Sequence, residues 1–349
     1  MKKGLFVLVF FLLAIFFVSA AGQKDSKVLK IGTMPNNLGA PAVYAQEQGL
    51  FAKAGLDVDV IIFPSGAPIN EALSAKQIDG ALTGLAGVYA LASGECKWLG
   101  DIDVSMSGLS VYVRPDSPVL KHKGLIPGKP NVYGNAETIK GLTFLGPLGT
   151  SAQFNAISWA QCFGLSSNDI KMLHMEFGPA LQAFIAGEGD ALPTSPPFHY
   201  QAEEKGAISV APLTEVSGME LCNGIVFRNE IVESRRPEVK KFLEVIYSVI
   251  DLFASNDNLY AEFAFDFYNK HGRKYTREMV QREIVERDFT GKKFMSRPEY
   301  RFGPTMIGMG NFYVNDGKIA KEDFPNIIKS MDPSFLEEIY GIKIKIFGE

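Results

Sequence analysis

Cysteine is scarce in this sequence, and so are the signatures of several chemistries. Its three cysteines, Cys96, Cys162 and Cys222, are widely spaced and form no metal-ligand pattern. At most one pair can be bridged, and the expectation is three buried thiols acting as small apolar residues. No Gly-rich nucleotide loop and no GxSxG nucleophile elbow occurs. Internal repeats and low-complexity segments are absent as well. Basic charge is short of acidic charge, which argues against nucleic acid as a partner, because phosphate binding needs a basic face.

The long apolar run stands at the start. Lys2 and Lys3 precede Leu5 to Val18, and Ser19-Ala20-Ala21 offers the small residues of a peptidase site. A membrane anchor needs about 20 apolar residues, so residues 1–21 read as a cleavable secretory signal. No cysteine near the cut can carry lipid. The mature chain, starting near Ala21 or Gly22, is expected to be soluble, exported and periplasmic. Without Lys2 and Lys3, 33 basic residues face 39 acidic ones. Residues 22–349 exceed what one core usually holds, so two lobes are expected, and 46% hydrophobic content can fill both.

Strand-like and helical patterns alternate through most of the mature chain. Strand runs are Leu29 to Gly32, Val58 to Phe63, Gly80 to Thr83, Leu109 to Val113, Thr143 to Leu145, Ile170 to Met175, Gly189 to Pro193 and Gly224 to Phe227. Helical runs lie at Pro41 to Ala54, Ile69 to Ala75, Gly87 to Ser93, Ser151 to Phe163 and Pro179 to Gly187. This alternation predicts an α/β fold of parallel sheets covered by helices. Beyond Asn229 the periodicity is helical: Arg236 to Phe253, Asn258 to His271 and Thr276 to Asp288. In the first of these, Val239, Phe242, Leu243, Ile246, Ile250 and Phe253 share one face, while Lys240, Lys241 and Glu244 fall on a solvated one.

Small polar turns recur at the carboxyl ends of strands, where open α/β sheets bind ligands. In "FPSGAPINEALSAKQIDGALTG", Phe63 to Gly84, the turns are Ser65-Gly66 and Thr83-Gly84. Asn36 and Asn37 follow the first strand, and their amides can donate and accept. Gly149-Thr150-Ser151 opens a helix whose free N–H groups form an anion seat. Thr150 or Ser151 as a plain N-cap is compatible with that reading, and Ser65 and Thr83 also suit ordinary turns. His174 ends a strand within reach of a cleft, although a structural role fits it too. Trp98 and Tyr44 read as core.

The order of these motifs resembles the nitrate, sulfonate and taurine substrate-binding proteins of ABC importers, relatives of the thiamine-pyrimidine-precursor binders. The resemblance rests on "GLFAKAGLDV" (Gly49 to Val58), the Pro64 to Gly84 segment, "TIKGLTFLGPLGTSAQF" (Thr138 to Phe154) and "ALQAFIAGEGDAL" (Ala180 to Leu192). It covers the mature chain to about Phe253. It implies a two-lobed type II periplasmic binding fold, lobe one being 25–109 plus 226–349 and lobe two 110–225, with crossings near Leu109 to Val113 and Cys222 to Phe227. The implied partners are a small-molecule ligand and an ABC permease with its ATPase, for a monomer without metal or cofactor. Where the family often carries an aromatic and a carboxylate, this chain has Thr194 and Ser195, followed by Phe198. Those hydroxyls suggest a neutral or anionic ligand with an apolar body, and the absence of lysine or arginine from the predicted turns disfavours a doubly charged anion.

Enzymes share this fold, so the fold alone decides nothing. The predicted cleft turns hold hydroxyls, amides and glycines rather than an acid or base for catalysis. An extracellular sensing domain with a signalling partner is the alternative of another class.

Overall fold

Gly49 sets the first departure from the expected elements. Its φ of +64° suits glycine, and it divides the helix expected at Pro41 to Ala54 into Ala40–Glu47 and Leu50–Lys53. The computed structural model describes residues 28–105 and 107–348, so the predicted secretory signal lies outside the described residues.

Eleven strands form among the described residues: β1 (Leu29–Thr33), β2 (Val58–Ile62), β3 (Gly80–Thr83), β4 (Cys96–Ser105), β5 (Ser110–Val113), β6 (Thr143–Gly146), β7 (Lys171–His174), β8 (Ala191–Thr194), β9 (Ile208–Pro212), β10 (Leu221–Arg228) and β11 (Arg287–Phe289). They build two sheets, ordered β11-β4-β10-β3-β1-β2 and β7-β6-β8-β5-β9. In the first, β1 runs parallel to β2 and β3, while β10 is antiparallel to β3 and β4. In the second, β6 is parallel to β7 and β8, and β5 is antiparallel to β8 and β9. This is a mixed α/β fold with two sheets and a mainly helical C-terminal region.

The chain leaves the first sheet after Ser105, enters the second at Ser110, and returns between Pro212 and Leu221. Two strand runs expected to cross between lobes, β5 and β10, are inner strands paired on both sides. Their continuous apolar character comes from burial within sheets.

Three strands escaped the sequence reading. Within β4, Lys97, Gly100, Asp101 and Asp103 interrupt the apolar pattern, yet the strand is almost wholly buried. The helix expected over Thr276 to Asp288 stops at Val285, and β11 pairs antiparallel with β4 instead. Tertiary pairing overrode the helical period there, as it does for short segments with mixed preference.

The C-terminal region completes the first lobe by serving β4. Asp101 is fully buried, and its carboxylate accepts from Trp98 Nε1 and the Tyr300 hydroxyl, both at 2.8 Å, and from the Gly303 amide at 3.3 Å. Its backbone oxygen accepts from the hydroxyls of Tyr247 (2.6 Å) and Thr290 (2.5 Å). Burial raises the Asp101 pKa, and the donors Trp98, Tyr300 and Gly303 oppose the shift. Helix Arg236–Ser255 buries all six residues of its expected apolar face. Lys240 pairs with Glu338 at 2.9 Å, whereas Lys241 and Glu244 are exposed.

All three cysteines are free; Cys96 and Cys222 are buried, but Cys162 is only half-buried. Burial pushes the Cys96 thiol up to about 12, consistent with an inert core thiol.

Candidate functional site

A cavity opens where the carboxyl ends of the two sheets face each other. Its empty volume is about 620 Å³, open solvent at the mouth included, and clefts between two α/β units are a usual place for small ligands. Met34, Leu38, Leu109, Phe177, Pro196 and Leu221 give it an apolar lining.

Seven of the twelve residues expected at the ligand lie on this wall: Asn36, Asn37, Gly66, Gly84, Thr150, Ser151 and Ser195. The two glycines are there for what they omit. An added Cβ at Gly66 would stand 2.7 Å from the Ala86 Cβ, and one at Gly84 would stand 2.9 Å from Asn223 Oδ1. Ser65, Thr83 and Thr194 sit behind the wall, each buried. Ser65 Oγ donates to Glu176 Oε1 at 3.1 Å, while the hydroxyls of Thr83 and Thr194 are buried without a protein partner.

Gly149 and His174 are not on the wall. Gly149 has φ +68° and donates its N–H to Gln153 Oε1 at 2.9 Å. His174 ends an edge strand, is exposed, and accepts the Leu148 N–H at Nδ1 over 3.2 Å; it braces the loop before the helix. Phe198 stacks on Phe177 with ring centroids 5.8 Å apart and belongs to the second hydrophobic cluster. Trp98 is core, and Tyr44 packs edge-on against Phe253 and Phe263.

At the start of helix Ser151–Gln161, Thr150 is the N-cap. Its hydroxyl donates to Pro147 O at 2.8 Å and accepts from Ala152 N–H at 3.3 Å, an N-cap. The amide and hydroxyl of Ser151, on the cavity wall, are then the donors left at the positive end of the helix dipole.

A buried ionic cluster under the first-lobe wall was invisible in the sequence. Asp103, 1% exposed, accepts from the side-chain amides of Asn37 and Asn223, the latter at 2.7 Å. Burial pushes its carboxyl up to about 6, and Arg287 and the two amides pull against that shift. Arg287 lines the cavity, its Nη1 donating to Ser105 Oγ at 3.0 Å. Its Nε lies 4.0 Å from Glu283 Oε1. Glu283 in turn accepts from Tyr260 (3.1 Å), Tyr268 (2.9 Å) and Tyr275. The site therefore contains an arginine where none was expected, because β11 carries it back to β4 from far along the chain. Two asparagine–aspartate pairs, one between β10 and β4 and one from the turn after β1 to β4, leave no local sequence signal.

Two α/β lobes flanking a cleft of mixed polar and apolar lining are the architecture of ABC transporter substrate-binding proteins, which enzymes share, so membership rests on the sequence comparison. The chain belongs to the NMT1-like family, whose model matches residues 22–262. A relative from Brachyspira hyodysenteriae, named as an ABC transporter periplasmic binding protein, is 28% identical over 317 residues, covering 91% of each chain. One from Bacillus subtilis, named as an aliphatic sulfonates-binding protein, is 27% identical over 259 residues, covering 72% of this chain and 74% of its own. Among solved structures, the alkanesulfonate-binding protein of Xanthomonas axonopodis pv. citri bound to MOPS superposes with a TM-score of 0.68 at 15% identity, covering 88% of this chain and 98% of that one. The periplasmic nitrate-binding protein of Synechocystis PCC 6803 also gives 0.68, at 14% identity and with 91% and 89% covered. These two likenesses concern the fold.

Proposed function

We propose that this protein is an exported receptor that captures a small solute in the cleft and delivers it to an ABC permease and ATPase, without altering it. The observation that carries this reading is the shared cavity wall. Asn36, Asn37 and Gly84 come from the first lobe, and Thr150, Ser151 and Ser195 from the second. A solute held by both walls stabilises the closed arrangement over an open one, which is how differential affinity drives a hinge. The signal-like start of the chain supports a periplasmic location. The solute classes considered are sulfonates, nitrate, pyrimidines and aromatic carboxylates; relatives named for sulfonates and nitrate keep the first two in view. Binding is favoured over catalysis because Asp103 and Glu283, the acids under the first-lobe wall, are tied into hydrogen bonds within the lobe.

Native mass spectrometry of the purified mature protein, before and after unfolding and refolding, tests this. A thermal-shift screen of the same classes should follow. A solute that binds only the folded state raises its stability by about 2.7 kcal/mol at a hundred times its Kd. The expected result is a co-purified mass or a saturable shift, with the compound recovered unchanged. A chemically altered compound would overturn the receptor reading in favour of an enzyme.

A further inference from the structure

We infer that Asp103 is a positioning residue that sets the hydrogen-bonding polarity of the first-lobe wall, so that the captured solute presents N–H donors to it. Such a solute carries an amine, amidine or amide rather than being a bare oxyanion. The inference rests on the receptor reading and narrows its solute class.

An ionised carboxylate only accepts hydrogen bonds. With one oxygen of Asp103 taking Asn37 Nδ2 and the other taking Asn223 Nδ2, both asparagines are locked with their NH₂ groups turned into the lobe. Their usual ambiguity, one face donor and one acceptor, is removed. Asn223 Oδ1 is then directed toward Gly84 on the cavity wall, within 2.9 Å of where a Cβ there would sit. Asn36 adds a further acceptor: its Oδ1 is buried with no protein partner. Buried acceptors are nearly always satisfied in native structures, and a donor-bearing solute supplies what the protein withholds.

The charges agree. Arg287 is flanked by two acids, Glu283 and Asp103, which both favour its charged form. The two acids offset the Arg287 charge, so a bare oxyanion on this wall meets no surplus positive charge; the Arg287 Nε, buried without a hydrogen-bond partner, leaves one donor for an acceptor that the same N–H-bearing solute can carry. Across the cavity, the Ser151 amide and hydroxyl form the donor wall. The complementary solute therefore has a donor end for the first lobe and an acceptor or anionic end for the second. Glu283 and Arg287 lie beyond the span matched by the family model, so this balance belongs to the chain's own C-terminal region.

The test uses refolded, solute-free protein and matched probe pairs: taurine with ethanesulfonate, benzamidine with benzoate, 4-aminopyrimidine with pyrimidine, and nitrate alone. In at least one pair the N–H-bearing member should bind about tenfold tighter, the scale of one buried hydrogen bond. Asp103→Asn frees one asparagine to reverse, and should erase that preference while the variant still binds. If Asp103→Asn does not fold, Asn36→Ala should weaken only the N–H-bearing member. For any co-purified solute, accurate mass gives its nitrogen content and exchange in heavy water counts its labile hydrogens, which together with fragmentation assign those on nitrogen. Nitrate, ethanesulfonate or benzoate binding as tightly as the N–H-bearing probes, or a co-purified solute without labile N–H, would overturn the inference and leave the receptor standing. No shift by any probe and no co-purified mass would overturn both.

Discussion

His199 is 1% exposed, and neither ring nitrogen has a hydrogen-bond partner. Burial, with Arg282 and Arg287 adding to it, pushes its pKa down to about 3. The ring is therefore neutral, and its 3.9 Å approach to Glu286 is not an ion pair. An unfolded histidine titrates near 6.5, so the unfolded chain binds more protons between that value and about 3. Stability present above pH ~6.5 is lost as pH falls through this window. Asp103 has the opposite sign. Its folded pKa of about 6 exceeds the ~3.9 of an unfolded aspartate, so its contribution is present below pH ~3.9 and is lost as pH rises toward 6. Urea unfolding measured across pH 3 to 7 should show His199→Phe resisting acid better than the parent, and Asp103→Asn losing the decline between pH 4 and 6. Parallel curves for parent and variants would show that neither group titrates as described.

At the scale of elements, helix Arg236–Ser255 owes its place to a face legible in the sequence. Phe242 is fully buried, with ring centroids 5.4 Å from Phe51 and 5.5 Å from Phe227. Phe242→Ala should cost about 3–5 kcal/mol, for lost burial plus the cavity left behind, read as a lower urea midpoint at unchanged slope. The exposed Lys241→Ala should stay within about 0.5 kcal/mol. The start of helix Ser151–Gln161 separates structure from binding. Thr150→Ala removes the cap and should lower stability by about 1 kcal/mol. Ser151→Ala should leave stability nearly unchanged and weaken solute binding, as a thermal-shift titration would reveal. Equal binding by Ser151→Ala and the parent would remove the Ser151 hydroxyl from the site.

Across the whole molecule, polar contacts between the lobes include Ser65 to Glu176, which bridges the cleft, and Tyr200 to Glu286, Gln201 to Arg273 and Arg282 to Glu203. The rings of Phe154 and Phe312, 4.6 Å apart and perpendicular, join second-lobe helix to C-terminal helix nearby. Ser65→Ala should weaken solute binding by about tenfold, the low end of the about 1.5–3 kcal/mol that hydrogen bonds to charged groups contribute. It should also raise the radius of gyration of the solute-free protein in small-angle scattering. An unchanged radius together with unchanged affinity would show that closure does not depend on this contact.

The sequence by itself determined whatever depends on neighbours along the chain. Periodicity marked the helices, glycines and small polar residues marked the turns after β1, β2, β3, β6 and β8, and those turns placed Asn36, Gly66, Gly84, Ser151 and Ser195 around one cavity. Only the tertiary structure decided what comes from distant segments. Arg287 joins the wall because three residues, Arg287–Phe289, pair with the edge of β4, too short a run to signal a strand. Asp101 and Asp103 made β4 look unlike a buried strand. They are tolerated inside because Trp98, Tyr300 and two asparagines satisfy them. Carboxylates in a core require partners that pattern along the chain does not reveal, and so the charge balance of the cleft emerges only when the chain has folded.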